Sequence, residues 1–124
     1  MQKTAETDAF CSAFAQHAGV EADYVPVAFG DTPEMADELL ALVLAGTKRA
    51  TASLARDYVD GREPLPKVGD YVIAVDGART PRCIWRSTDI EVKPLIAVDD
   101  QFAWDEGEGD RSRAWWLDAH RWDF

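Results

Sequence analysis

Apolar residues recur at helical spacing in three parts of the chain, and each part predicts a helix. The strongest pattern lies between Asp31 and Gly46. Asp31 and Glu34 are spaced as in a capping box at its start, and Gly46 is placed to end the helix in a left-handed conformation. The other helices are predicted over residues 7–18 and 112–122, with a further helical turn at residues 101–104.

Short runs of β-branched and aromatic residues predict several strands. Pro26 restricts the first run to a sheet edge or a bulge, because proline cannot donate a hydrogen bond to a neighbouring strand. Asp76 and Gly77 separate two later runs and are the strongest hairpin signal in the chain. The predicted strands cover residues 24–29, 47–54, 71–75, 82–88, 90–92 and 95–98.

Helices combined with hairpin-linked strands indicate the α+β class, with a small, partly open antiparallel β-barrel flanked by helices. The strand–helix–strand alternation that is typical of a parallel sheet is absent from the pattern. No internal repeat, low-complexity tract or long linker divides the 124 residues. A single domain over residues 1–124 is therefore predicted.

The composition is that of a globular protein that needs no disulfide or structural metal, with 47% apolar and 29% charged residues. The first ten residues lack the apolar core of a secretory signal. No apolar run approaches the ~18 residues of a membrane span. Cys11 and Cys83 are the two cysteines. These features together predict reduced thiols and a cytoplasmic protein without a membrane partner.

The formal net charge is −10, but it is unevenly distributed along the chain. Residues 1–47 carry a net charge of −7 and residues 94–124 one of −5, whereas residues 48–93 carry +2. The total charge argues against non-specific attraction to phosphate backbones. The middle segment is therefore where an anionic or nucleotide ligand is expected.

The sequence contains no phosphate loop, dinucleotide fingerprint or metal-ligand spacing, so no cofactor and no metal site are predicted. His17 and His120 fall on predicted helices and are expected at the surface or the edge of the core. Lys48 and Thr51 follow the glycine that ends the second helix. If a turn or bulge brings them together, the lysine can act as base for the hydroxyl or hold an oxyanion. A solvated lysine at a helix end is the alternative.

Residues 105–110 form an acidic loop in which carboxylates alternate with glycines. The spacing does not meet the ligand pattern of an EF-hand calcium loop. The loop is either a flexible surface turn or the source of one carboxylate that faces a pocket as general acid or base. In the second case, burial among Trp104, Trp115 and Trp116 would raise the pKa of that carboxyl group. The residues alone leave both interpretations open.

Taken together, these segments resemble the ASCH domain, a small family whose β-barrel is similar to the PUA RNA-binding fold. The family motif Gly-x-Lys-x-x-Thr/Ser is matched by Gly46, Lys48 and Thr51. The resemblance covers roughly residues 20–122. The further matches are Pro66-x-Val68-Gly69-Asp70, Pro81-x-Cys83-Ile84, Thr88 and the run Phe102-Ala103-x-x-Glu106-Gly107-Glu108-Gly109-Asp110 before the tryptophan-containing helix.

The resemblance implies a hydrolase. ASCH relatives include amidohydrolases that remove an acyl group from the exocyclic amine of cytidine, as in N4-acetylcytidine, and their active site holds a Lys, a Thr and a Glu. These correspond here to Lys48, Thr51 and Glu106, with Glu108 as the alternative glutamate. In the implied mechanism Thr51 attacks the amide carbonyl, Lys48 accepts its proton or supports the oxyanion, and Glu106 protonates the leaving amine.

Further side chains are predicted to bind the substrate. Trp85 and Tyr71 are candidates for stacking on the base. Arg82 and Arg86 share a strand face and are candidates for contacts with ribose or phosphate, although a plain exposed strand face is the alternative. The predicted substrate-binding set is completed by Arg49 and Glu108.

Other ASCH relatives bind or cleave RNA, so two alternative functions stay open. One is an RNA-binding protein or ribonuclease that acts on single-stranded RNA, and the other is a non-catalytic module that docks a nucleotide or RNA. Metal-independent RNA cleavage usually relies on histidine, and neither His17 nor His120 lies near the matched motif. The expected partners are therefore a small nucleoside and, alternatively, single-stranded RNA.

The end of the sequence departs from the family pattern. ASCH relatives continue past the tryptophan-containing helix into another barrel strand, whereas this sequence stops at Phe124. Three arrangements are consistent with that difference: a truncated chain, an open barrel, or an N-terminal strand in the place of the missing one.

Overall fold

The computed structural model describes residues 1–58 and 65–121. The last residue of the predicted helix 112–122 and the chain end at Phe124 therefore lie outside the described residues. In the described part, the α-helices are α1 Ala5–Ala18, α2 Pro33–Leu44, α3 Asp100–Glu106 and α4 Arg113–His120, and the strands are β1 Val25–Ala28, β2 Tyr71–Val75 and β3 Pro81–Arg86. Single turns of 3-10 helix lie at Ala55–Tyr58 and Leu95–Ala97.

The chain forms two compact units. The first unit comprises Met1–Leu40 and Pro66–Ile90, and it holds α1 and the sheet. The second unit comprises Ala41–Leu65 and Glu91–Phe124, and it holds α3 and α4; helix α2 begins in the first unit and ends in the second. The α+β class is confirmed. Every helix in residues 1–58 and 65–121 is too short or too polar to cross a bilayer.

The sheet of the first unit has the strand order β1-β2-β3. Strands β2 and β3 form the hairpin predicted at Asp76, with Ile73 opposite Ile84. Strand β1 lies at the edge, as Pro26 predicted, but it pairs with β2 in parallel. The expectation that strand–helix–strand alternation is absent is therefore wrong for β1, α2 and β2. The alternation of apolar and polar residues along one strand predicts which of its faces is buried. It does not predict which distant strand will pair with it, because pairing depends on how the apolar faces pack together in the fold.

The sheet is open within the described residues, with three strands, so closure of a barrel is not confirmed. Its buried core is formed by Cys11, Tyr24 and Ile73. Both cysteines of the chain are outside disulfides, as predicted, with Cys11 buried and Cys83 half-buried. Cys11 packs in this core as a small apolar residue.

Two helices begin at different residues from those predicted. Helix α1 begins at Ala5, because Thr4 and Thr7 form a capping box before it. Helix α2 begins at Pro33 and its cap is Thr32, whose hydroxyl accepts a hydrogen bond from the Met35 N–H at 3.1 Å. Proline suits the first helical position because it lacks an N–H, so the residue before it becomes the cap. The capping box predicted for Asp31 and Glu34 is therefore wrong.

Three predicted strands have no strand structure. Residues 47–54 and 90–92 are irregular, and Leu95–Ala97 is a 3-10 turn after Pro94. In the last case Arg113 of α4 donates to the carbonyl oxygens of Val98 at 2.6 Å and Ile96 at 2.7 Å. These carbonyls are therefore used by a side chain instead of a neighbouring strand.

Candidate active site

The end of α2 sets the direction in which the chain reaches Lys48. The N–H of Gly46 donates to the carbonyl oxygen of Val43, and the N–H of Thr47 to that of Leu42, both at 3.0 Å. These two bonds, with Gly46 at a φ of +80°, form a Schellman cap. The prediction that Gly46 ends the helix in a left-handed conformation is confirmed. The cap fixes the backbone immediately before Lys48.

Helix α3 carries the partner of that lysine. Its cap is Asp99, whose carboxylate accepts from the Phe102 N–H at 2.8 Å. The helix ends at Glu106, which is 2% exposed, and Gly107 follows in the left-handed conformation with a φ of +72°. The predicted helical turn at residues 101–104 is therefore a complete short helix that buries Glu106.

The last carbonyl groups of α3 hold the segment that follows α2. The carbonyl oxygen of Asp105 accepts from the N–H groups of Arg49 at 2.6 Å and Ala50 at 3.0 Å. That of Glu106 accepts from Lys48 Nζ at 3.3 Å. Carbonyls at a helix end have no partner inside the helix. Here the N–H groups of Arg49 and Ala50 donate to one of these helix-end carbonyls, so they are not available to pair with a neighbouring strand. This accounts for the wrong strand prediction over residues 47–54.

The Lys48 side chain lies between two carboxylates. Its Nζ donates to Glu106 Oε2 in a short contact and to Glu108 Oε2 at 2.9 Å. The carbonyl oxygen of Ala50 accepts a further bond at 2.9 Å. The lysine side chain is 3% exposed, that of Glu106 2% and that of Glu108 20%. Several partners around one buried ammonium group offset the cost of removing it from water.

The second oxygen of Glu106 faces α4. Trp116 Nε1 donates to Glu106 Oε1 at 3.3 Å, and Trp116 is 1% exposed. Burial raises the pKa of Glu106 above the ordinary range for glutamate, Lys48 offsets part of that rise, and Glu108 adds to it. A carboxyl group with a raised pKa exchanges a proton closer to neutral pH. The interpretation of the acidic loop as the source of one buried carboxylate is therefore the one the structure favours.

The tryptophans around the acidic loop do not share one environment. Trp116 is buried and stacks on His120, with ring centroids 4.2 Å apart. Trp104 is 54% exposed and Trp115 37% exposed. Trp116 is thus the tryptophan that contacts the buried carboxylate, and the roles of Trp104 and Trp115 in burying it stay predictions. Helical spacing alone does not say which face of a short helix is covered.

Three of the predicted site residues meet in the second unit, namely Lys48, Glu106 and Glu108. Thr51 is exposed, and its hydroxyl makes no hydrogen bond to the residues that the structure describes. It directly follows Ala50, whose carbonyl oxygen Lys48 contacts. Arg49 is exposed, with its Nε donating to the Gly46 carbonyl oxygen at 3.1 Å. The roles of Thr51 and Arg49 stay predictions.

The other predicted substrate-binding residues belong to the first unit. Trp85 stacks on Phe29 with ring centroids 6.0 Å apart. Tyr71 is half-buried, and Arg82 and Arg86 are exposed. The strand register is irregular beside Arg82, whose Nη1 lies 3.6 Å from Asp76 Oδ2, so a shared strand face for the two arginines stays a prediction. Their contact with a substrate stays a prediction.

Two residues of the site were not predicted in the roles the structure gives them. The Trp116 indole is a hydrogen-bond donor to Glu106. Arg111 contacts the backbone on both sides of the Lys48–Glu106 pair. A single loop arginine has no periodicity to mark it.

Among residues 1–58 and 65–121, no group of three or more His, Cys, Asp or Glu side chains is arranged to hold a metal ion.

Gly107 is the point of closest approach between α3 and the segment that carries Lys48. A Cβ atom there would lie 2.6 Å from the Thr47 carbonyl oxygen and 3.0 Å from Lys48 Cα. We expect Gly107→Ala to lower the free energy of unfolding by about 2–4 kcal/mol, because the backbone must shift as well as adopt a strained φ. Urea denaturation measures the loss.

Gly46→Ala is the matched control for that substitution. Gly46 also has a positive φ, of +80°, but a Cβ atom there meets nothing within 4 Å. Only the conformational cost remains, about 1 kcal/mol. Equal losses for Gly46→Ala and Gly107→Ala would contradict the close approach at Gly107.

Comparison with known proteins identifies the family. The ASCH domain family model matches residues 25–124. A crystal structure of an Enterococcus faecalis protein of family DUF984 is 34% identical, with a TM-score of 0.80, covering 91% of this chain and 69% of that chain. The crystal structure of an ASCH domain from Lactobacillus crispatus is 30% identical, with a TM-score of 0.80, covering 96% of this chain and 76% of that chain. No curated protein matches the chain at a significant level of similarity.

Proposed function

This chain belongs to the ASCH domain family, and we propose that it is an amidohydrolase that removes an acyl group from the exocyclic amine of a cytidine-type nucleoside such as N4-acetylcytidine. The family is linked to RNA-binding or hydrolase roles. The observation that carries the proposal is the buried contact of Lys48 with Glu106 and Glu108. A lysine beside a carboxyl group of raised pKa supplies an oxyanion stabiliser and a proton carrier, and amide hydrolysis needs both.

In the proposed reaction, Thr51 Oγ1 forms a bond to the amide carbonyl carbon while its proton passes to the Glu106 carboxylate. Lys48 Nζ stabilises the oxyanion. Glu106 then delivers the proton to the exocyclic nitrogen as the C–N bond breaks, which releases cytidine and leaves the acyl group on Thr51. A water molecule that gives its proton to Glu106 attacks this ester. The carboxylic acid leaves as Thr51 recovers a proton from Glu106.

Glu108 has a separate role in this scheme. When Glu106 carries the proton, it no longer supplies a charge to Lys48. Glu108 Oε2, at 2.9 Å from Lys48 Nζ, still does so. A buried ammonium group without a partner is strongly unfavourable. Glu108 therefore allows Glu106 to change its protonation state without leaving Lys48 unpaired.

The test is incubation with N4-acetylcytidine, scored for cytidine release. The wild-type protein is expected to release cytidine, and Thr51→Ala to lower the rate by more than about 10²-fold because it removes the nucleophile. Thr51→Ser is the matched control, since it retains a hydroxyl group and should retain turnover. No release by the wild-type protein would contradict the proposed function. Unchanged turnover by Thr51→Ala would contradict the role of Thr51 as nucleophile.

Single-stranded RNA is the second candidate ligand, and the +2 net charge of residues 48–93 favours it. RNA affinity falls steeply as salt concentration rises, because phosphate contacts release counterions. Hydrolysis of a neutral nucleoside is expected to be almost independent of salt. A labelled single-stranded RNA is therefore titrated beside the hydrolysis assay at several salt concentrations. Tight, salt-sensitive RNA binding without cytidine release would favour the RNA function.

A further inference from the structure

Arg111 lies in the loop between α3 and α4 and contacts the backbone on both sides of the Lys48–Glu106 pair. Its Nε donates to the carbonyl oxygen of Trp104, in the last turn of α3, at 2.9 Å. Its Nη2 donates to the carbonyl oxygen of Thr47 at 3.4 Å. The guanidinium also lies over the Trp104 ring, with Cζ 3.7 Å from the ring centroid. One side chain therefore connects α3 with the residue before Lys48.

We propose that Arg111 is a positioning residue, which holds the segment that carries Lys48 against the end of α3 and thereby sets the Lys48–Glu106 contact. Its kinetic test rests on the proposed function. A planar guanidinium can donate in two directions while it stacks on an aromatic ring. A lysine at this position would have a single donor group and could not reproduce all three contacts.

The backbone of Arg111 supports the same inference. Its φ is +66°, in the left-handed region that residues other than glycine rarely adopt. Such conformations persist where the surrounding contacts enforce them, and they concentrate at functional sites. The N–H of Arg111 also donates to the carbonyl oxygen of Glu108 at 3.0 Å. The turn that brings Arg111 back to α3 thus also shapes the loop that carries Glu108.

The first experiment is the kinetics of Arg111→Ala with N4-acetylcytidine. We expect kcat to fall about 10- to 100-fold, because a small displacement of Lys48 from Glu106 is costly to the reaction. KM is expected to stay within about twofold, since a positioning residue acts through Lys48 and not on the substrate itself. Arg113→Ala is the matched control, because Arg113 also donates to two backbone carbonyls, those of Ile96 and Val98. Its kcat should equal that of the wild-type protein.

A second measurement does not depend on turnover. The N–H groups of Arg49 and Ala50 both donate to the Asp105 carbonyl oxygen. If Arg111 holds this segment in place, Arg111→Ala should accelerate hydrogen exchange at these two amides by about tenfold or more, and Arg113→Ala should not. Should the wild-type protein fail to release cytidine, the proposed function fails, and amide exchange alone decides the role of Arg111.

Arg111→Gly separates positioning from general stability. Glycine adopts the left-handed conformation without strain, so this variant is expected to melt at or above the temperature of Arg111→Ala while it loses the same kcat. Added guanidinium ion should restore part of kcat to Arg111→Gly, whereas Arg111→Lys should stay impaired. Wild-type kcat and amide exchange in Arg111→Ala would overturn the proposal. So would equal losses in Arg113→Ala, or an increase in KM alone.

Discussion

Replacing Lys48 with methionine is expected to lower the free energy of unfolding by about 3–5 kcal/mol near neutral pH, the usual cost of removing one partner from a buried ion pair. The Lys48 side chain is 3% exposed and that of Glu106 is 2% exposed, so water cannot replace the lost ammonium group. Methionine preserves most of the side-chain volume. The loss therefore reports the unpaired charge rather than a cavity.

This loss of stability depends on pH in a defined direction. Burial already raises the pKa of Glu106, and Lys48 is what offsets part of the rise. Without Lys48, the pKa of Glu106 is higher still, and the folded protein binds the proton more tightly than the unfolded chain. Protonation removes the unpaired charge, so the deficit of Lys48→Met relative to the wild-type protein shrinks as the pH falls. Urea denaturation at a series of pH values measures this.

Two controls identify the source of the effect. Lys3→Met removes the lysine of an exposed ion pair, Lys3–Asp23, and should cost less than about 1 kcal/mol. The double variant Lys48→Met with Glu106→Gln should regain most of the stability that Lys48→Met loses, because the remaining carboxylate, Glu108, is 20% exposed and water can reach it. A double variant as unstable as Lys48→Met would contradict the argument.

The elements that follow from local patterns were predicted well. Strand β2 spans the predicted residues 71–75, and Gly46 ends α2 because its left-handed conformation is a local property. The errors concern long-range contacts. Residues 47–54 form no strand because backbone donors near their start bind α2 and α3. The parallel pairing of β1 with β2 also joins segments that are distant along the chain.

In the candidate site, too, local features could be predicted from the sequence and long-range contacts could not. Lys48 and Thr51 stand in one short motif, so they could be selected from the sequence. Their connection to Glu106 came from the family resemblance, since no local pattern joins residues so far apart. The sequence leaves open whether Lys48 is a base or an oxyanion stabiliser, and the proposed reaction uses the second role. Arg111 could not have been found, because its role depends on two backbone carbonyls and a left-handed φ.

Glu106→Gln is expected to lower kcat for acyl-cytidine hydrolysis by about 10²- to 10⁴-fold, because an amide cannot carry the proton from the nucleophile to the leaving amine. Glutamine keeps the size and shape of the side chain, so the fold is expected to persist, as circular dichroism can verify. Glu108→Gln is the matched control. Since Glu108 supports Lys48 without carrying the proton, it should lose less activity than Glu106→Gln. The reverse order would assign the proton to Glu108.

The stability of Glu106→Gln distinguishes a functional carboxyl group from a structural one. A carboxyl group whose pKa is raised on folding stabilises the protein below the ordinary value of 4.5, and this contribution is lost as the pH rises through the raised pKa. Glutamine does not titrate, so the stability of Glu106→Gln relative to the wild-type protein should increase with pH above that value.

The test depends on how the stability difference between Glu106→Gln and the wild-type protein changes with pH. The size of that difference at any one pH does not decide it. The amide nitrogen of glutamine must face a donor, either Lys48 Nζ or Trp116 Nε1, and this lowers stability by the same amount at every pH. A difference that stays flat with pH would show that Glu106 is ionised in the folded protein as it is in the unfolded chain. A difference that rises, combined with lost turnover, means that the fold retains at neutral pH a group that destabilises it. A carboxyl group that lowers the stability of the fold at neutral pH is explained by a role in the reaction, because packing alone would favour an uncharged side chain.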